Sequence, residues 1–164
     1  MGIAKVFGLP AHPLFVHLPI VLIPLTAIGA IAIAWSARAR DRLGWIVLGV
    51  GVVAGLSTQL AIDSGEALQE SVRRSAALTE HVRSADSIRP LILLLFLVAL
   101  GVVLLGRSRR NVGTLGRVAI VAFTIAVALV TNIRLFQIGH SGAKATWEQV
   151  QITQTDPARG MPAP

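Results

Sequence analysis

The chain of 164 residues contains no cysteine, no tyrosine and only two methionines. Without cysteine, a structural disulfide, an iron–sulfur cluster and thiolate metal binding are excluded. The methionines, Met1 and Met161, stand near the two ends of the sequence, so a thioether ligand between helices is not expected. Charged residues are also few, at 14%, whereas hydrophobic residues make up 54%. Because a soluble domain of this size needs more polar surface, the composition indicates an integral membrane protein.

The net charge of +7 would suggest nucleic-acid binding in a soluble protein. In this chain the arginines stand beside apolar segments, which is the pattern that sets membrane orientation. We therefore expect no nucleic-acid partner and a lipid bilayer as the main surroundings of the chain.

Four apolar segments are long enough, or nearly so, to cross a bilayer. They cover residues of about 14–37, 43–62, 88–106 and 118–139. The first and third connections are short, which predicts antiparallel neighbours. The predicted fold is all-α, an integral membrane four-helix bundle within residues 1–150. Residues 151–164 are expected to form a flexible C-terminal tail.

The segment between the second and third spans is expected to form an amphipathic helix at the outer surface. Gly65 is expected to break the chain ahead of it. Apolar residues then recur at roughly helical spacing, at Leu68, Val72, Ala76, Val82 and Ala85.

The distribution of basic residues predicts the orientation of the spans. Arginines are concentrated in the first and third connections, at Arg38, Arg40, Arg42, Arg107, Arg109, Arg110 and Arg117. The positive-inside rule then places these connections in the cytoplasm. Both termini and the long second connection are expected on the outer side.

With this orientation, all four histidines of the chain fall in one layer at the outer side. His12 and His17 open the first span, His81 precedes the third, and His140 follows the fourth. A lone imidazole in hydrocarbon is costly, so each needs a partner. Four in one layer indicate a ligand site rather than four separate interfacial residues.

The two histidines at the start of the first span are expected to point in different directions. Five positions apart on a continuous helix, His12 and His17 would point about 140° apart. Pro19 suits a first helical turn, so His17 is expected at the helix start and His12 in an extended lead-in. Pro24 is expected to kink the span and widen its outer end.

Two classes of ligand fit the histidine layer. The first is haem b, one or two groups, held by axial imidazoles of His12, His17, His81 and His140. The second is a copper, zinc or iron ion bound by the same residues. Haem suits an apolar bundle better, and its propionates could pair with Arg83, Arg89, Arg134 and Lys144. For Arg134, a side chain that snorkels to the headgroups is an equal alternative.

Three stretches, "HPLFVHLP", "EHVRSAD" and "GHSGAKATWE", resemble the bacterial four-span membrane proteins grouped as domain of unknown function 2231. The resemblance covers residues of about 10–148. The last stretch is similar to the family's Gly-His-x-Gly-Gly-x-x-Val-Tyr ending, with Ala143 and Trp147 in place of the second glycine and the tyrosine. The resemblance implies that His12, His17, His81 and His140 belong to a shared family pattern, in a group whose members are discussed as haem or redox membrane proteins. The multi-pass chain is expected in the bacterial inner membrane.

Three functional hypotheses follow from these patterns. The leading one is a membrane-embedded electron carrier with haem b, exchanging electrons with a quinone or a redox partner protein. The second is a histidine-based metal-binding membrane protein. The third is a cofactor-free accessory subunit of a larger complex, or a homodimer, packed through Gly51 and Gly55, although packing within the chain is favoured for that pair. No paired carboxylates, phosphate loop or nucleophile–base motif stands out, which favours a carrier or subunit over a stand-alone enzyme.

Overall fold

The computed structural model describes residues 5–69, 72, 75–108 and 112–155. A short antiparallel hairpin pairs β1 (Lys5–Val6) with β2 (Leu9–Pro10) and turns at Phe7 and Gly8, both with positive φ. The helices follow in chain order as α1 (His12–Phe15), α2 (His17–Trp35), α3 (Ala37–Gln69), α4 (Ala76–Ala85), α5 (Ile88–Arg107) and α6 (Thr114–Thr155).

Four helical segments are long and apolar enough to cross a membrane: His12–Trp35, Ala37–Gln69, Ala76–Arg107 and Thr114–Trp147. The predicted four-helix membrane bundle is thereby confirmed. Large apolar side chains cover the outside of the bundle as well as its core; Ile28 is 66% exposed and Leu93 is 58% exposed. This distribution is expected where the surrounding solvent is lipid.

Small residues allow the helices of the bundle to approach closely. A Cβ added at Gly29 of α2 would lie 2.7 Å from Cγ2 of Val47 on α3. A Cβ at Gly51 would lie 3.1 Å from Phe96 of α5, and one at Gly55 would lie 3.9 Å from Ile92. The Gly51/Gly55 pair thus packs within the chain against α5, as favoured from the sequence, and a homodimer contact stays a prediction.

The lengths of the helices show that the bundle continues beyond one bilayer. At about 1.5 Å per residue, α5 spans about 30 Å, which matches the hydrocarbon thickness. The helices α3 and α6, with 33 and 42 residues, are longer. Their extra turns pack with α1 and α4 at the Ile88 end of α5. We call this group the cap: α1, α3 from Ala61 onward, α4, and α6 from Ile138 onward.

The opposite end of the bundle is held by arginine and tryptophan contacts. The Nη2 of Arg117 on α6 donates to the Trp35 carbonyl at the end of α2, at 2.7 Å. The guanidinium carbon of Arg107 on α5 lies 4.7 Å from the ring centre of Trp45 on α3. The four spans therefore alternate in direction. We call this end the arginine end. Arg109 and Arg110, which were counted among the basic residues of the third connection, lie outside the described residues.

Two local expectations were wrong. Gly65 does not break the chain, because α3 continues through it to Gln69. His12 does not lie in an extended segment but begins the single turn of α1. The helix α6 continues beyond the last span to Thr155; that residues 151–164 form a flexible tail stays a prediction, and residues 156–164 lie outside the described part of the chain. The expected amphipathic helix between spans two and three is present as α4.

Candidate functional site

His12 is held against α3 at the entrance of the cap. Its Nδ1 lies 2.8 Å from the carbonyl oxygen of Ala61. A carbonyl can only accept, so Nδ1 carries the proton and donates it. In the neutral ring the lone pair then lies on Nε2, the atom that is left to bind a ligand.

His81 is held in the same way against α6. Its helix, α4, begins at the N-cap Ser75, whose hydroxyl accepts from the backbone N–H of Leu78 at 3.2 Å. The Nδ1 of His81 lies 3.0 Å from the hydroxyl of Ser141. That hydroxyl donates its single proton to the Ile138 carbonyl at 2.8 Å, so it accepts from Nδ1. His81 is therefore also an Nδ1–H tautomer with its lone pair on Nε2.

The two rings are neighbours. The ring centres of His12 and His81 lie 6.4 Å apart, with the planes at 73° to each other. Both side chains are partly buried. The structure thus brings together two imidazoles from different helices, each with Nδ1 engaged and Nε2 available.

A glycine lies against each imidazole ring, Gly65 against His12 and Gly142 against His81. A Cβ at Gly65 would lie 3.0 Å from both Cε1 and Nδ1 of His12. A Cβ at Gly142 would lie 2.9 Å from Cε1 of His81. The missing side chains let α3 and α6 pass close to the two rings, which restricts where the imidazoles can lie.

His17 and His140 have different surroundings. His17 is the first residue of α2 and is exposed. His140 is also exposed, and its ring stacks at 18° on Phe136, with 6.4 Å between ring centres. In the described part of the chain, no group of three or more histidine, cysteine, aspartate or glutamate side chains is arranged to hold a metal ion. That all four histidines act as ligands stays a prediction.

The sequence pattern of the family described as "Predicted membrane protein (DUF2231)" matches residues 8–155. The chain belongs to this family. No curated protein and no solved structure matches the chain. The match includes all of α1, α4 and α6, so the histidine pair of this DUF2231 protein and both of its supporting contacts lie within the family region.

Three of the four cations expected near the site already have partners. Arg83 pairs with Glu80 at 2.8 Å, and Arg89 pairs with Asp86 at 2.9 Å. Both pairs are exposed, so each contributes little to stability and can exchange partners.

Arg134 joins α6 to the turn between α4 and α5. Its Nε donates to the hydroxyl of Ser87 at 2.6 Å, and its Nη1 donates to Gln137 at 3.1 Å. The side chain is partly buried and oriented towards the cap. Lys144 is exposed on the cap portion of α6, one turn beyond Ser141.

Sequence reasoning missed Ser141, Gly142 and the role of Gly65. The terminal motif predicts His140 as the ligand candidate, whereas the residue that contacts His81 is Ser141, next to it in the chain. The available signal was positional: Ser141 and Gly142 follow Ile138 at the helical spacing that forms one face of α6. Only the packing of α4 on α6 shows that this face meets His81.

Proposed function

We propose that this DUF2231 protein binds one b-type haem in its cap through His12 and His81 and carries electrons at the membrane surface. The observation that supports the proposal is the pair itself, with ring centres 6.4 Å apart and both Nδ1 atoms held by acceptors. Ligating histidines commonly use the second ring nitrogen in this way, since such a contact fixes the tautomer and the ring orientation.

The composition of the ligand set favours haem over a bare metal ion. Zinc and iron ions usually take three or more protein ligands, and the described residues offer no such group. Haem b would need only one or two protein ligands, which His12 and His81 would supply. Two imidazoles, which no third metal-ligating side chain joins among the described residues, suit that need.

The two rings are close enough for one group to contact both. Their centres lie 6.4 Å apart, and the two imidazoles come from different helices, so a haem would be held by α1 and α4 together. Because the pair uses two of the four histidines, this arrangement supports one haem rather than two.

Each part of the cap has a distinct task in this proposal. The haem supplies one-electron chemistry when bound. His12 and His81 hold it, while Ala61 and Ser141 keep both Nδ1 atoms protonated and thereby leave Nε2 for the ligand. Arg83, Arg89, Arg134 and Lys144 are cations that propionates would need near the aqueous edge.

The proposed location follows from the charge pattern. The arginine end would face the cytoplasm and the cap would face the outer side of the bacterial inner membrane. Both termini would then be outside. In that position the cap could exchange electrons with a quinone at the outer leaflet or with a redox protein outside it.

A metal-binding protein is the second candidate, because two available imidazole nitrogens also suit a copper ion of low coordination number. The accessory-subunit hypothesis stays a third prediction; the pair suggested for its contact, Gly51 and Gly55, lies against α5 within the chain.

An absorption spectrum of the purified protein, expressed with adequate haem, tests the proposal. We expect a Soret band, a sharp change on reduction and a haem content near one per chain. Elemental analysis of the same sample provides the second arm. Absence of the Soret band would overturn the haem proposal, and a stoichiometric copper or zinc content in that case would support the metal-binding alternative.

A further inference from the structure

Arg40, at the arginine end, lies flat against Gly106 of α5. A Cβ at Gly106 would come within 2.7 Å of Cδ and 2.8 Å of Cζ of Arg40, and would overlap its Nε. Any larger residue at position 106 would therefore displace the guanidinium. The glycine forms a seat for this one arginine side chain.

The buried Nε of the seated guanidinium has no acceptor in the part of the chain that the structure describes. Buried donors without acceptors are costly and uncommon in folded proteins. The arginines near the histidine pair differ, since Arg83 and Arg89 each pair with a carboxylate. Arg40 is thus held by packing. Because only its Nε is buried, the two Nη groups are the donors that remain for an acceptor from outside the chain.

The surroundings of Arg40 are basic and lie at the level of a membrane interface. The described charged residues at this end are one aspartate, Asp41, and five arginines: Arg38, Arg40, Arg42, Arg107 and Arg117. Trp35 and Trp45 are 67% and 57% exposed there. Exposed tryptophans at the end of a membrane bundle are typical of the headgroup layer.

We propose that the arginine end binds the phosphate of an anionic phospholipid headgroup, with the guanidinium of Arg40 on Gly106 as its main donor. Guanidinium groups bind phosphate oxygens with two parallel hydrogen bonds. The tryptophans place the seat where lipid phosphates are concentrated, so a lipid and not a soluble anion is the expected ligand. This site lies at the opposite end of the bundle from the histidine pair and does not depend on it.

The test titrates the purified protein in detergent with short-chain phosphatidylglycerol, phosphatidylcholine of equal chain length, and inorganic phosphate. Bound lipid is counted by native mass spectrometry. We expect phosphatidylglycerol to bind at least about tenfold more tightly than phosphatidylcholine. Equal binding of the two lipids, or full competition by equimolar inorganic phosphate, would overturn the proposal.

Matched variants separate the seat from general surface charge. Arg40→Gln and Gly106→Ala should each weaken phosphatidylglycerol binding about fivefold or more. Arg42→Gln removes an equal charge from an exposed position of the same helix, and Gly101→Ala adds a methyl group to α5 where nothing lies within 4 Å. Both should retain binding within about twofold. Losses as large in these controls would contradict a specific role for Arg40, even if Gly106→Ala failed to fold.

Discussion

The rings of His12 and His81 lie edge to face with their centres 6.4 Å apart, although each belongs to a different helix. Two further helices hold the pair: α3 accepts from His12 through Ala61, and α6 accepts from His81 through Ser141. Four helices thus orient two imidazoles by a similar contact at Nδ1. Histidines at a membrane interface would not need protein acceptors of this kind, since water could form the hydrogen bond of each ring.

The hydroxyl of Ser141 is expected to support the ligand site through His81. Ser141→Ala removes the acceptor of the Nδ1 proton and frees the ring to rotate or change tautomer. Losses of this kind typically weaken metal affinity by about 10- to 100-fold. Haem titration of the purified variant, followed in the Soret region, measures the change.

Thr146→Ala is the matched control for Ser141→Ala. The Thr146 hydroxyl is exposed and donates only to the Gly142 carbonyl of its own helix, at 3.0 Å. Its removal should leave haem affinity within about twofold, since no ligand contact is lost. If the two variants behaved alike, the role of Ser141 as a positioning residue would be untenable.

We expect Gly142 to be needed for the position of the His81 ring and not for the formation of α6. In Gly142→Ala the new Cβ would lie 2.9 Å from the ring, and the imidazole, as the end of a flexible side chain, would move away. Haem binding should fall sharply while helical content, measured by circular dichroism, remains.

The control for Gly142→Ala is one turn earlier on α6. At Gly139 an added Cβ meets nothing within 4 Å. Gly139→Ala should keep the haem and raise thermal stability slightly, because alanine is favoured over glycine in a helix by about 1 kcal/mol. A normal haem content in both alanine variants would show that His81 is not confined by α6.

The spans and the histidine layer could be predicted from the sequence because each depends on local properties. Hydropathy alone locates the four apolar segments, and alternation of direction then puts all four histidines at one end. What could not be predicted is which two would meet. That choice depends on the single turn of α1, which carries His12 to Ala61, and on the packing of α4 on α6.

Gly65 illustrates why local rules fail in the cap. Glycine lowers helix propensity, so the sequence predicts a break there. In the structure α3 continues, and the missing side chain gives the ring of His12 room against the helix. Tertiary packing around the imidazole outweighs the intrinsic preference of one residue.

The orientation of the bundle can be measured by cysteine labelling, because the chain contains no cysteine of its own. Thr79→Cys places a thiol on the exposed face of α4, and Ser108→Cys places one at the exposed end of α5. In intact cells a membrane-impermeant maleimide should label the first and not the second, whereas both should react after lysis. Labelling of Ser108→Cys alone in intact cells would reverse the proposed orientation.

The most direct test of the central claim compares four purified variants by absorption spectroscopy: His12→Ala, His81→Ala, His17→Ala and His140→Ala. Haem ligation by the paired residues predicts that the first two lose or shift the Soret band. His17→Ala and His140→Ala, which alter exposed histidines, should keep the spectrum and haem content of the unmodified protein. An unchanged spectrum in both His12→Ala and His81→Ala would contradict the account.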